Sequence, residues 1–116
     1  MSSSGNLPEN KRLLVIDDEE NMRHMLTAML KKFGYAVDSA INGKVALEMI
    51  EVETYDFILC DIKMPEMDGM AFLQAARDAL KETTVVMMSA YGNIETAIDA
   101  MKNGAYDYIS KPFKHG

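Results

Sequence analysis

From Leu13 onward the sequence alternates two textures, short apolar runs and longer amphipathic stretches, and nothing else in it constrains the fold as much. Leu13-Leu14-Val15-Ile16, Phe57-Ile58-Leu59-Cys60 and Thr84-Val85-Val86-Met87-Met88 have the length and texture of strands covered on both faces. Tyr35–Ala40 and Tyr106–Ile109 interleave polar with apolar residues, as strands at a sheet edge do. The stretches between have helical spacing. Met22, Met25, Met29, Leu30 and Phe33 make an i, i+3, i+7, i+8, i+11 stripe that predicts a helix packed on the core, with Gly34 at its C′ position. Ala46, Met49 and Ile50 mark a second helix over 43–53. Leu73, Ala76 and Leu80 mark a third, opened by Asp68-Gly69. Ile94, Ala97, Ile98 and Met101 mark a fourth, closed by Gly104.

Strands alternating with helices need crossover connections, which are right-handed and produce a parallel sheet with helices on both faces. Two half-polar strands at the edges and three apolar ones inside fit the order 2-1-3-4-5, a flavodoxin-like doubly wound α/β sheet of five strands. At 116 residues the chain is one domain, able to bury roughly 65% of its unfolded surface without a metal or disulfide staple. Residues 1–11 are too polar to pack and read as a flexible lead, leaving 12–116 as the domain. Twelve Lys and Arg against eighteen Asp and Glu leave a net charge of −6, which speaks against a nucleic-acid-binding surface. The single cysteine excludes an intramolecular disulfide. No apolar run approaches the ~20 residues of a membrane span. The first residues lack the apolar centre of a signal peptide, so a cytoplasmic location is expected.

In a sheet of this order, ligands bind beyond the carboxyl ends of the strands, at the switch point between the first and the third. The residues there are Asp17 and Asp18 after the first strand, Asp61 after the third, Ser89 after the fourth and Lys111 after the fifth. Three clustered carboxylates repel, which raises at least one pKa unless a cation sits among them. An all-oxygen site with few protein ligands favours Mg²⁺ over Zn²⁺. A carboxylate held beside Mg²⁺ can attack phosphorus and form an acyl phosphate. Lys111 and Ser89 would then meet the transferring phosphoryl oxygens.

These residues, met as LLVIDDEENMR, ILCDIKMPEMDG, VVMMSAYG and AYDYISKPF, resemble the receiver domain of two-component response regulators over nearly all of Leu13 to Phe113. The stretch YGNIETAIDAMKNGAYDYISKPF is most similar to receivers of the nitrogen-regulation class, which activate sigma-54-type promoters. The resemblance implies that Asp61 accepts a phosphoryl group from the phosphohistidine of a sensor histidine kinase or phosphotransfer protein. It implies Mg²⁺ held by Asp18, Asp61 and the backbone carbonyl of Lys63, with Asp17 acting largely through water. Lys111 would pair with the phosphoryl group, Ser89 would move toward it, and Tyr108 would swing inward behind, so that the conformational switch reaches an output domain, expected to control transcription. By the same likeness Asn21, Met22, Met25 and Pro112 dock the kinase, Lys63 and Tyr91 influence the lifetime of the phosphoryl group, and the peptide before Pro112 is cis. Receivers also continue into a fifth helix where this sequence stops at His115-Gly116. Its absence would expose apolar surface on one face of the sheet and invite homodimerisation.

Each residue alone has a plainer reading. Asp17-Asp18 could cap a helix, Asp61 could be a turn residue, and Lys111 could be a solvated lysine; only their conjunction at one sheet edge points to phosphoryl chemistry. Cys60 points to the opposite face from Asp61 and reads as inert core, and among the eleven methionines the stripe of Met22, Met25 and Met29 reads as core packing. His24 and His115 lack the spacing of a metal site and read as surface residues. A flavin-phosphate loop after the first strand would be repelled by Asp17-Asp18-Glu19-Glu20. A phosphatase with its nucleophile after the first strand would want Asp and Thr where Glu19 and Asn21 stand. The alternative from another class is a pseudo-receiver, folded but never phosphorylated, that serves as an interaction module.

Overall fold

Strand residues of alternating parity go to opposite faces of the sheet, and each face recruits its own cover. The structure, a computed structural model, describes residues 11–64, 66–89 and 94–111. Strands β1 (Arg12–Ile16), β2 (Ala36–Ala40), β3 (Phe57–Asp61), β4 (Thr84–Ser89) and β5 (Asp107–Ser110) form one parallel sheet in the expected order β2-β1-β3-β4-β5. Helices α1 (Glu20–Lys32), α2 (Gly43–Val52), α3 (Gly69–Ala75) and α4 (Ile94–Lys102) connect them. Leu14, Ile16, Ile58, Cys60, Val85 and Met87 meet Ala46 of α2, Phe72 and Leu73 of α3 and Ala100 of α4 in one core cluster. Leu13, Val15, Val37 and Met88 meet Leu26 of α1 in another. Complete burial of a side chain such as Phe72 or Leu14 contributes roughly 1.5–3 kcal/mol each.

Local chemistry sets the helix ends. The side chains of Asn42 and Asp68 accept the backbone N–H groups of Val45 and Ala71 at 2.9 Å, capping α2 and α3. Gly34 closes α1 with φ +97°, a left-handed conformation that favours glycine. Among the described residues no helix is long and apolar enough to cross a membrane.

Two expectations need correction, and α4 shows a related feature. The methionine stripe of α1 is not core: Met25, Met29 and Phe33 are exposed, while Leu26 is the buried residue, with Met22 and Leu30 packed beside it. Apolar residues occupy two adjacent flanks of α1, and the docking angle on the sheet selects the i, i+4, i+8 row of 22, 26 and 30. The third helix ends at Ala75 and continues as turns, although Leu80 is buried as expected and donates its N–H to Ala76 at 3.0 Å. In α4 the spacing is helical, yet Ile94, Ile98 and Met101 face outward and Ala100 faces the core. The expected lead falls, apart from Lys11, outside the described residues.

At the end of the sheet away from the acidic residues, the buried ring of Tyr55 carries a hydroxyl that donates to Asp38 Oδ2 at 2.6 Å. This ties the β2 edge to the loop before β3. Burial, with the Asp38 carboxylate beside it, raises the phenol pKa well above its ordinary value. Arg12 pairs with Glu53 at 2.9 Å and Asp38 at 3.6 Å, but these groups are half-exposed and such pairs contribute little. Tyr55→Phe is therefore expected to cost about 1–2 kcal/mol in urea unfolding at neutral pH, the worth of one bond to a charged acceptor. A variant as stable as the parent would show that the tie is already satisfied by solvent.

Candidate functional site

Because all five strands are parallel, the ends of β1, β3, β4 and β5 present their next residues at one edge. Asp17 follows β1 and is held on every side. Its N–H donates to Ala40 at 3.1 Å, its Oδ1 accepts the Glu19 N–H at 2.9 Å, and its carbonyl accepts Arg23 Nη1 at 2.9 Å. The Oδ1 bond closes an Asx turn, which carries the chain from strand into helix. Asp61 ends β3. The chain then doubles back, with the Ile62 N–H donating to Met88 at 2.9 Å and the Gly69 N–H donating to Ile62 at 2.8 Å. After β5 the Lys111 N–H donates to the carbonyl of Ser89 at 2.9 Å, which lays the lysine across the ends of β4 and β3.

The side chains converge accordingly. Lys111 Nζ stands 3.3 Å from Asp61 Oδ2, to which it donates a hydrogen bond, and 3.1 Å from Asp17 Oδ2. The second contact is an ion pair, and Asp17 Oδ2 is a buried oxygen whose only near cation among the described residues is this ammonium. Asp17, Asp18 and Asp61 each bring a carboxylate oxygen within 4.8 Å of the others, Asp17 and Asp61 buried and Asp18 exposed.

The electrostatics follow from that packing. Burial raises the Asp61 pKa, the Asp17 charge pushes it further, and Lys111 pulls it back, leaving it at about 6. Burial alone would lower the Lys111 pKa, but Asp17 and Asp61 outweigh it, so the ammonium is held above its ordinary value. Among the described residues one ammonium faces three carboxylates, which leaves the site short of positive charge. The donor set is all oxygen, and one buried oxygen has no hydrogen-bond donor among the described residues; both fit a hard divalent cation.

Of the residues singled out from sequence, Asp17, Asp18, Asp61 and Lys111 therefore meet. Buried Ser89 is joined to Lys111 through its backbone, and exposed Lys63 lies in the loop two residues past Asp61. Tyr108 is partly buried against the core, its hydroxyl enclosed and without a hydrogen-bond partner among the described residues. Cys60 is core, as expected, and burial raises its thiol pKa, with the Asp61 charge adding to the effect. Tyr91 and Pro112 lie outside the described residues. Sequence reasoning missed Arg23. The available signal was a cation at the fourth position of a helix, near the positive end of its dipole, where cations are disfavoured.

The sheet order and the acidic cluster at its carboxyl edge place the chain in the flavodoxin-like α/β class with a candidate cation site at the switch point. The chain belongs to the response regulator receiver domain family, whose model matches residues 13–116. It is 40% identical over 104 residues to the transcriptional regulatory protein ZraR of Escherichia coli K12, an alignment covering 90% of this chain and 24% of the relative. The chain thus spans about a quarter of that protein. A crystal structure of a response regulator from Burkholderia pseudomallei with a phosphorylated aspartic acid, calcium ion and citrate is 32% identical, with a TM-score of 0.85 over 90% of this chain and 62% of that one. The response regulator TrrA of Thermotoga maritima, in complex with Mg²⁺ and BeF, is 33% identical, with a TM-score of 0.80 over 90% and 89%.

Proposed function

We propose that Asp61 is the phosphoacceptor and that its donor is the phosphohistidine of a sensor kinase or phosphotransfer protein. One observation carries this reading: a buried carboxylate at the end of β3 sits 3.3 Å from a buried ammonium and within 4.8 Å of two further carboxylates, in a chain of the receiver family. An Asp61 carboxylate oxygen attacks phosphorus as the P–N bond breaks, and the imidazole leaves with that electron pair and takes up a proton. Lys111 supports the charge on the phosphoryl oxygens, and the Ser89 hydroxyl donates to one of them. Asp17, Asp18 and Asp61, with the backbone carbonyl of Lys63, would hold Mg²⁺. When bound, that ion neutralises charge on the transferring group. Attack of water on the same phosphorus would restore the carboxylate, making the domain a phosphoacceptor that assists its own reset.

The buried hydroxyl of Tyr108, without a partner among the described residues, supports a switch. A hydroxyl enclosed without a partner costs roughly 1–3 kcal/mol, so the inward position is one that contacts at the site can favour or release. We read the output as transcriptional and the location as cytoplasmic, by likeness to the relatives. The intact set of Asp17, Asp18, Asp61 and Lys111 speaks against a pseudo-receiver.

The test is intact mass after incubation with acetyl phosphate. One added phosphoryl group is expected in the wild type with Mg²⁺, and none without Mg²⁺ or in Asp61→Asn. A folded wild-type protein that gains no mass would overturn the reading.

A further inference from the structure

We infer that Arg23 is a positioning residue for the acidic pair and that it sets the affinity of the site for its divalent cation. The inference rests on the metal reading given above. The backbone N–H of Arg23 makes the first ordinary helical bond of α1, to the carbonyl of Glu19 at 2.9 Å, while its guanidinium Nη1 reaches back to donate to the carbonyl of Asp17 at 2.9 Å. The second bond matters for the site. The Asp17 carbonyl belongs to the peptide plane joining Asp17 to Asp18. Holding that plane fixes the dihedral angles on both sides of it, from which both carboxylates depart. Asp17 is otherwise anchored through its N–H and Oδ1, whereas exposed Asp18 gets its direction from this plane.

With respect to the helix dipole the residue is also poorly placed. A cation at the fourth position of α1 opposes the helix dipole and adds positive charge near a site that wants a positive ion. A residue that breaks a local rule in this way points to a compensating role, and the bond to the Asp17 carbonyl supplies one. Geometry and charge then make opposite forecasts for its removal. Loss of positioning weakens cation binding, while loss of repulsion tightens it.

The experiment is a Mg²⁺ titration of the full chain, followed through the amide resonances of Asp18, Glu19 and Ile62, for wild type, Arg23→Met and Arg23→Lys. Arg23 is only partly buried, and the melting temperature of each variant in EDTA checks that it folds as the parent does. Arg23→Met is expected to raise the Kd for Mg²⁺ about tenfold, the usual effect of removing a group that orients metal ligands. Arg23→Lys, which keeps a donor of similar reach, is expected to restore most of that affinity. Labelling by acetyl phosphate should follow: the Mg²⁺ concentration for half-maximal rate rises in Arg23→Met, while the rate at saturating Mg²⁺ stays near wild type. An unchanged Kd, or a tighter one, overturns the inference while leaving the metal reading intact. A folded wild type whose resonances do not respond to Mg²⁺ overturns both.

Discussion

Asp61→Asn is expected to raise the melting temperature of the metal-free protein at pH 8 by about 5 °C while leaving it nearly unchanged at pH 4. The reason lies in the crowding of negative charge. Folding moves the Asp61 pKa from its ordinary 3.8 to about 6, chiefly by burial and then by the Asp17 charge. A carboxyl whose folded pKa is raised holds its proton more tightly in the folded chain than in the unfolded one. Below pH 4 both states are protonated and nothing is lost. As pH rises from about 4 through 6, the folded state must give up a proton it prefers to keep, so stability falls across that window and stays low above it. A shift of two pKa units corresponds to about 3 kcal/mol, and solvent screening at this sheet edge reduces the expected gain to about 1–2 kcal/mol. Asparagine is uncharged, still accepts from Lys111, and leaves the ammonium to Asp17 at 3.1 Å. Thermal unfolding in EDTA at several pH values is the measurement. A variant that is no more stable than the parent at pH 8 would show that Lys111 already balances the site.

Gly69→Ala is expected to cost at least about 3 kcal/mol and to disturb the site with it. A Cβ at this position would collide with the carbonyl oxygen of Asp61 and lie 2.7 Å from Met87 Cε and 2.9 Å from Ile62 Cα. The methionine end can move, but the other two atoms are backbone, and they are the backbone that presents Asp61. The approach is needed because the Gly69 N–H closes the β3–α3 loop onto Ile62 at 2.8 Å. Inserting a methyl group into packed surroundings costs about 1–3 kcal/mol where side chains can yield, and more where backbone must shift. Urea unfolding checks the loss, and the intact-mass assay should show slower labelling at Asp61 in the fraction that folds. A loss below about 1 kcal/mol would mean that the loop yields freely, and Asp61 would then be less rigidly placed than its surroundings suggest.

Much of the fold was legible because it depends on local texture. Apolar runs at Leu13–Ile16, Phe57–Cys60 and Thr84–Met88 can be satisfied only by strands covered on both faces, and the helices between them force a parallel sheet. The strand order followed, as did the start of a helix at Asp68-Gly69 and its counterpart, the closure of α1 at Gly34. What failed was the assignment of helix faces. Met25, Met29 and Phe33 have core spacing but are exposed, and Ile94, Ile98 and Met101 look away from the sheet. Spacing reports that a helix has an apolar side, whereas the side that docks depends on the neighbours it meets.

The candidate site divides the same way. The sequence by itself showed which chemistry was available, because Asp17, Asp18, Asp61, Ser89 and Lys111 stood at the carboxyl ends of strands, and carboxylates with one ammonium suit phosphoryl transfer beside a hard cation. The tertiary structure alone decided their relation. Lys111 lies 50 residues from Asp61, and no pattern states that its ammonium bridges Asp61 and Asp17 at 3.3 and 3.1 Å. Nor does any pattern state that Arg23 turns back to hold the Asp17 carbonyl. Distances between side chains on separate strands arise from the twist and register of the sheet, which are properties of the packed whole.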